Sequence, residues 1–107
     1  MQEHAADKYP ALVQIFCGYF HQDWDYQYES ISEALEAYIE ESSTRERQQA
    51  IEELNVILET ELDETTASSL KLDLGMAADC STYGFTARSW FYHVRDRIEQ
   101  AERSGQN

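Results

Sequence analysis

The apolar residues of this chain recur at intervals of three and four along most of its length, which is the period of an α-helix. One apolar stripe runs along residues 9–20 and another along residues 87–101. Glycine and proline, which supply the many turns of β-sandwiches, number only 4 and 1. We therefore predict an all-α fold, a compact bundle of about five short helices whose apolar stripes face one core.

Capping signals mark where most of the predicted helices begin. Pro10 suits the first turn of the first helix, because a proline there lacks only an N–H that would have no helical partner. Serine followed three residues later by glutamate occurs at 30–33 and 43–46, which is the spacing of a capping box. These pairs predict the starts of the second and third helices, and Thr86 predicts the start of the fifth.

The fourth helix is shorter and less strongly marked. Asp63 or Thr65 could cap its start, and Gly75 is placed to end it in a left-handed conformation. Residues 21–28 and 76–85 lack a helical period, so we interpret them as loops, the first pinned by its aromatic side chains. Because the chain contains no repeat or linker, we expect residues 1–107 to form a single domain with its core at about 9–102.

The net charge of −13 is concentrated in one stretch of the chain. Residues 23–64 hold fourteen acidic residues and two basic ones, whereas residues 65–107 hold five of each. A surface of this sign repels nucleic acid, so we exclude direct nucleic-acid binding. It attracts a basic protein, and the aromatic residues in the same stretch could anchor one.

The predicted partner-binding residues are the carboxylates on the polar faces of the second and third helices, together with nearby tyrosines. Glu33, Glu36 and Glu40 are spaced three and four apart, on the side of their helix opposite its apolar stripe. Glu52 and Glu53 are expected to face outward on the next helix. The full predicted set is Tyr26, Tyr28, Glu29, Glu33, Glu36, Glu40, Glu41, Glu52, Glu53 and Glu59.

Catalytic and metal sites are weakly supported. Cys17 and His21 are four residues apart and could form a thiol–imidazole pair, but no orienting residue or oxyanion donor accompanies them. The H-x-D-x-D pattern of His21, Asp23 and Asp25 is an incomplete ligand set. Two cysteines are too few for a disulfide framework, and we expect Cys17 and Cys80 to be small apolar fillers. We predict no catalytic residue, no metal and no cofactor.

The run from Tyr19 to Asp25, Y-F-H-Q-D-W-D, resembles the signature of the CdiI-type immunity proteins of bacterial contact-dependent growth inhibition systems. Weaker similarities lie at residues 9–12, 32–34 and 86–90, so the resemblance spans residues 9–98. The chain departs from the family in the acidic richness of residues 36–64 and at 75–85, where partner specificity is expected.

This resemblance implies a protein that binds and blocks the C-terminal toxin domain of a growth-inhibition effector. Many such toxins are nucleases, whose surfaces must be basic to hold a polyanion. Because one motif serves immunity proteins against different toxins, we interpret it as scaffold rather than contact surface. The predicted scaffold residues are Tyr19, Phe20, His21, Asp23, Trp24, Asp25 and Trp90.

The expected cellular compartment follows from two features that the sequence lacks. No apolar run approaches the ~20 residues of a membrane span, and the start has no signal-peptide pattern, so we expect a cytoplasmic protein without membrane contact. We expect a monomer that forms a 1:1 complex with a basic toxin domain. Two alternatives stay open: an acidic nucleic-acid mimic that occupies a DNA- or RNA-binding host or phage protein, and a small enzyme that uses Cys17 or His21.

Overall fold

The computed structural model describes residues 5–21, 24–59 and 63–104, and within these ranges it is helical without any β-strand. The one-turn helix α1 precedes five longer helices, which correspond to the five predicted. The helices are α1 (Ala5–Lys8), α2 (Pro10–Tyr19), α3 (Ile31–Glu41), α4 (Thr44–Glu59), α5 (Glu64–Asp73) and α6 (Ala87–Ser104). Two 3-10 turns, Trp24–Tyr26 and Cys80–Tyr83, lie in the predicted loops. The predicted all-α bundle is confirmed.

The helices begin at the predicted caps. The backbone N–H of Ser43 donates to the Glu46 carboxylate at 2.8 Å, and the Ser43 hydroxyl accepts from the Glu46 N–H at 3.1 Å. The Ser30 hydroxyl accepts from the N–H three residues later at 3.1 Å. Asp63, rather than Thr65, caps α5, with its carboxylate 2.8 Å from the N–H it accepts. Local capping chemistry therefore sets these boundaries.

Aromatic rings of α2 and α6 form the centre of the core. Phe16 packs on Phe91 with ring centroids 5.6 Å apart, and Phe20 meets Trp90 edge-on at 5.5 Å. The α3 and α4 helices pack mainly on α2 and α6 rather than on each other. Their buried side chains complete one apolar cluster and include Ile31, Ala34, Leu35, Tyr38, Ala50, Leu54 and Ile57.

Three details of the expected core are wrong or incomplete. Ile15 is fully buried, although it was not in the stripe predicted for the first helix, which consisted of Tyr9, Leu12, Val13, Phe16, Tyr19 and Phe20. Cys17, expected as an apolar filler, is exposed, whereas Cys80 is buried as expected. Leu62, predicted to extend the stripe of the third helix, lies outside the described residues.

Gly75 ends the turn after α5 with a φ of +100°, in the left-handed region that was predicted for it. A Cβ at this position would lie 2.8 Å from the Cβ of Cys17.

Gly75→Ala is therefore expected to lower the free energy of unfolding by about 2 kcal/mol, measured by urea denaturation. Gly18 is the matched control, because it lies inside α2 with open space around it. Gly18→Ala should stabilise by about 0.5–1 kcal/mol. Equal effects at the two positions would contradict the described packing of Gly75.

His93 gives the fold a dependence on pH near neutrality. Its ring lies 4.8 Å from Phe85 and 5.6 Å from Trp90, and burial, followed by the charge of Arg97, lowers its pKa. Protonation therefore favours the unfolded chain. The stability due to this residue is complete above the ordinary histidine pKa of about 6.5 and is lost as the pH falls from there towards the lower folded pKa. His93→Gln should reduce the loss of thermal stability between pH ~7.5 and ~5.5, measured by thermal unfolding at the two pH values.

Candidate functional site

The exposed carboxylates of the predicted contact set lie in two groups. The α3 group consists of Glu29, Glu33, Glu40 and Glu41, and all four are exposed. The α4 group consists of Glu52 and Glu59, which are also exposed. Because α3 and α4 pack on α2 and α6 rather than on each other, the predicted acidic surface divides between two helices.

A cluster of tyrosines lies beside the α3 group. The Tyr19 hydroxyl donates to the Glu41 carboxylate at 2.5 Å, and its ring lies 6.4 Å from Tyr28 and 5.7 Å from Tyr38. Burial raises the pKa of Tyr38 to about 12. The pKa values of Tyr19 and Tyr28 are raised by burial and by the negative charge of Glu41. A tyrosine hydroxyl is neutral near pH ~7 even at its ordinary pKa of about 10, and the raised pKa values keep these hydroxyls protonated, and able to donate, at higher pH.

Tyr26 and Tyr28 differ in their surroundings. Tyr26 is 86% exposed, whereas Tyr28 is half-buried against Tyr19. Of the two predicted aromatic anchors, Tyr26 thus presents far more of its ring to a partner.

Glu53 does not face outward as predicted, since it is only 8% exposed. Its two carboxylate oxygens accept hydrogen bonds from the backbone N–H groups of Ala11 at 3.2 Å and Leu12 at 3.1 Å. The side chain of Gln49 donates a third bond at 2.9 Å. The first N–H groups of a helix have no partner within the helix and lie at the positive end of its dipole. Glu53 therefore caps α2 from the neighbouring α4 and is removed from the predicted contact surface.

Glu53→Ala is expected to lower the free energy of unfolding by about 2–3 kcal/mol. The substitution leaves two N–H groups at the start of α2 without their charged acceptor, in a buried place. The neighbouring Glu52→Ala is the control, because Glu52 is exposed and a substitution there should stay within about 0.5 kcal/mol. Urea denaturation of both variants checks the difference. Similar midpoints would contradict the capping role.

Two other acidic residues of the stretch also act within the molecule. Glu64 accepts from the N–H groups of Ala87 at 2.8 Å and Arg88 at 3.0 Å, so it caps α6, and these bonds lower the pKa of its carboxyl. Glu36 forms a bidentate pair with Arg97, with distances of 2.6 and 2.7 Å. Glu36, which belongs to the predicted contact set, is therefore already paired with a residue of α6.

The residues of the signature run lie near the end of α2. Within the run, Phe20 is fully buried and Trp24 is nearly so. Trp90, the predicted scaffold residue outside the run, is also fully buried. The Phe20 carbonyl accepts from the Ala77 N–H at 2.7 Å, which ties the end of α2 to the segment before α6. His21 is half-buried and Asp25 is exposed. Asp23 lies outside the described residues, so its predicted scaffold role stays a prediction.

The described residues form neither a cluster of metal ligands nor a membrane-spanning helix. Over residues 5–21, 24–59 and 63–104, no three His, Cys, Asp or Glu side chains come together where they could hold a metal ion. In the same ranges, no helix is long and apolar enough to cross a bilayer.

The structure adds one residue that the sequence interpretation missed. Tyr83 is 38% exposed and packs edge-on against Trp24 at 5.9 Å. Its position in a segment without helical period gave no signal of this contact.

The described ranges form a small helical protein that carries exposed carboxylates near α3 and on α4. Its fold is similar to that of a chain in the crystal structure of a CdiA-CT/CdiI complex from Y. kristensenii, with a TM-score of 0.81 and 23% sequence identity. The likeness covers 88% of this chain and 96% of that chain.

Residues 8–98 match the family described as CdiI immunity protein. The chain belongs to this family, and the resemblance carried by the signature run is confirmed. A comparison with curated proteins finds no match.

Proposed function

We propose that this protein binds and neutralises the C-terminal toxin domain of a contact-dependent growth inhibition effector in the cytoplasm, as an inhibitor and not as an enzyme. Membership of the CdiI immunity protein family over residues 8–98 is the observation that carries this proposal. The similar chain from Y. kristensenii was solved in a complex of CdiA-CT with CdiI, which supports a toxin domain as the partner.

The charge of the chain supports a basic partner, and a nuclease is the class of toxin that fits best. A nuclease needs a positive surface to hold its polyanionic substrate. The α3 group and the α4 group present six exposed carboxylates to such a surface. In the described part of the chain, none of these six takes part in an ion pair. Their field would steer the toxin domain towards this protein and raise the association rate.

Protection of growing cells tests the proposal. The probe is the C-terminal domain of the effector encoded beside this chain, produced from an inducible promoter. Co-production of this protein should restore growth, and a mixture of the purified proteins should elute as a 1:1 complex. An unrelated acidic helical protein of similar size is the control for charge alone. Growth arrest that persists at high levels of this protein would contradict the proposed function.

A further inference from the structure

Two 3-10 turns that are far apart in sequence lie side by side in the fold. Trp24 of the first turn packs edge-on against Tyr83 of the second, with ring centroids 5.9 Å apart. The carbonyl of Phe20 also accepts from the N–H groups of Ala77 and Ala78, at 2.7 and 3.3 Å. The Trp24–Tyr83 contact places the two turns next to each other, and we name their residues 24–29 and 79–84 the two-turn surface.

The two-turn surface exposes aromatic rings. Among the large hydrophobic residues that the described ranges leave exposed, two of four belong to it: Tyr26 at 86% and Tyr83 at 38%. The other two, Val56 and Leu72, lie on α4 and α5. Tyrosine is enriched among the residues that dominate binding energy at protein interfaces, because its large ring loses little conformational freedom on binding.

The charge of this surface is mainly negative, although the Lys71 ammonium of α5 lies beside it, where it donates to the Ala78 carbonyl at 3.1 Å and helps to lower the pKa of Asp79. Its acidic members are Asp25, Glu29 and Asp79, all exposed, and residues 24–29 and 79–84 contain no lysine or arginine. A tyrosine ring beside carboxylates suits a lysine or arginine side chain, since the ring attracts the cation and the carboxylate pairs with it. The surface therefore complements a basic partner in both composition and charge.

The second turn is held in place before any partner arrives. The Asp79 carboxylate accepts from the Ser81 N–H at 3.0 Å and from the Ser81 hydroxyl at 2.7 Å, and these bonds lower the pKa of Asp79. Gly84 closes the turn with a φ of +89°, and its N–H donates to the Ser81 carbonyl at 3.1 Å. Tyr83 is thus presented on an ordered backbone, which reduces the entropy lost on binding.

We propose that the two-turn surface is a docking site for a basic element of the toxin domain, with Tyr26 and Tyr83 as its aromatic anchors. This inference rests on the proposed function and adds to it a contact region separate from the α4 group. Lysine or arginine side chains of the toxin stack on the two rings, and Asp25 and Asp79 bind their charges. Asp25, which is exposed, thereby takes a contact role in place of the scaffold role predicted for it.

Binding of the purified toxin domain encoded beside this chain tests the docking site. Tyr26→Ala and Tyr83→Ala should each raise the Kd by at least about 10-fold, as expected for anchor residues. Leu72→Ala is the matched control, because it removes an exposed apolar side chain on α5, outside the proposed contact surfaces, and should change the Kd less than about 2-fold. Because Tyr83 also contacts Trp24, thermal unfolding checks that each variant is folded. If Tyr83→Ala is unfolded, the Kd of Tyr26→Ala alone decides the test.

The outcomes separate this inference from the proposed function. If the wild-type protein binds the toxin domain and Tyr26→Ala binds equally well, the docking site is wrong and the proposed function stands. If the wild-type protein does not bind, the proposed function itself is wrong.

Discussion

Trp90→Ala is expected to lower the free energy of unfolding by about 3–5 kcal/mol, a large part of the stability of a domain of this size. Trp90 is fully buried, and its ring contacts Phe20 at 5.5 Å, Phe85 at 5.2 Å and His93 at 5.6 Å. It joins α6 to the end of α2 and to the segment before α6. Its removal would leave a cavity at this junction that the rigid aromatic neighbours cannot fill.

Trp90→Phe separates the loss of volume from the loss of the indole N–H. The Nε1 of Trp90 is buried and has no hydrogen-bond partner among the described residues. Phenylalanine keeps much of the ring and removes this unsatisfied donor, so Trp90→Phe should cost clearly less than Trp90→Ala. Urea denaturation followed by circular dichroism measures both. Equal losses would contradict the packing role of the ring, because the volume that phenylalanine retains would then contribute nothing to stability.

Reversal of charge in the α3 group is expected to slow association with the toxin domain by about 10-fold or more at low salt. Glu33→Lys with Glu40→Lys changes the local charge by four units on an exposed helical face. The free energy of unfolding should change by less than about 1 kcal/mol, because both side chains are exposed. Stopped-flow association at several salt concentrations measures the effect, which should shrink as salt screens the charges.

The matched control reverses two exposed acidic residues outside the acidic stretch. Asp73→Lys with Asp96→Lys gives the same change in net charge at the end of α5 and on α6, and it also removes the ion pair of Asp96 with Arg95 at 3.3 Å, so its free energy of unfolding is measured alongside. If this control slowed association as much as the α3 variant, net charge rather than the α3 group would govern the encounter. If neither variant changed the rate at low salt, electrostatic steering would be excluded.

Helix boundaries were predictable because they depend on neighbouring residues. Ser43 and Glu46 form their capping box within four residues, and the left-handed Gly75 ends a turn whose signal is local. The face that a helix buries depends instead on its contacts with helices that are distant in sequence. The α4 stripe was expected along Ile51, Leu54, Leu58 and Leu62, with Ile57 beside it. The buried face is instead made of Ala50, Glu53, Leu54 and Ile57, because α4 packs on both α2 and α6.

In the candidate site, too, features set by neighbouring residues were predictable and contacts between distant segments were not. The exposure of Glu33 and Glu40 followed from the polar face of α3, and the exposed Tyr26 was among the predicted anchors. Glu53 looked like any other acidic residue of the stretch, because its role depends on the start of α2, more than forty residues away. Tyr83 was missed for a similar reason, since its contact with Trp24 joins two loops that are distant in sequence.

The most direct test of toxin neutralisation is a titration of this protein into the purified toxin domain, with toxin activity and binding heat measured on the same samples. We expect activity to fall to its background in proportion to added protein and to reach it at one equivalent. We also expect the association rate to fall steeply as salt is raised. Full toxin activity in the presence of excess protein, or inhibition without formation of a complex, would contradict neutralisation by binding.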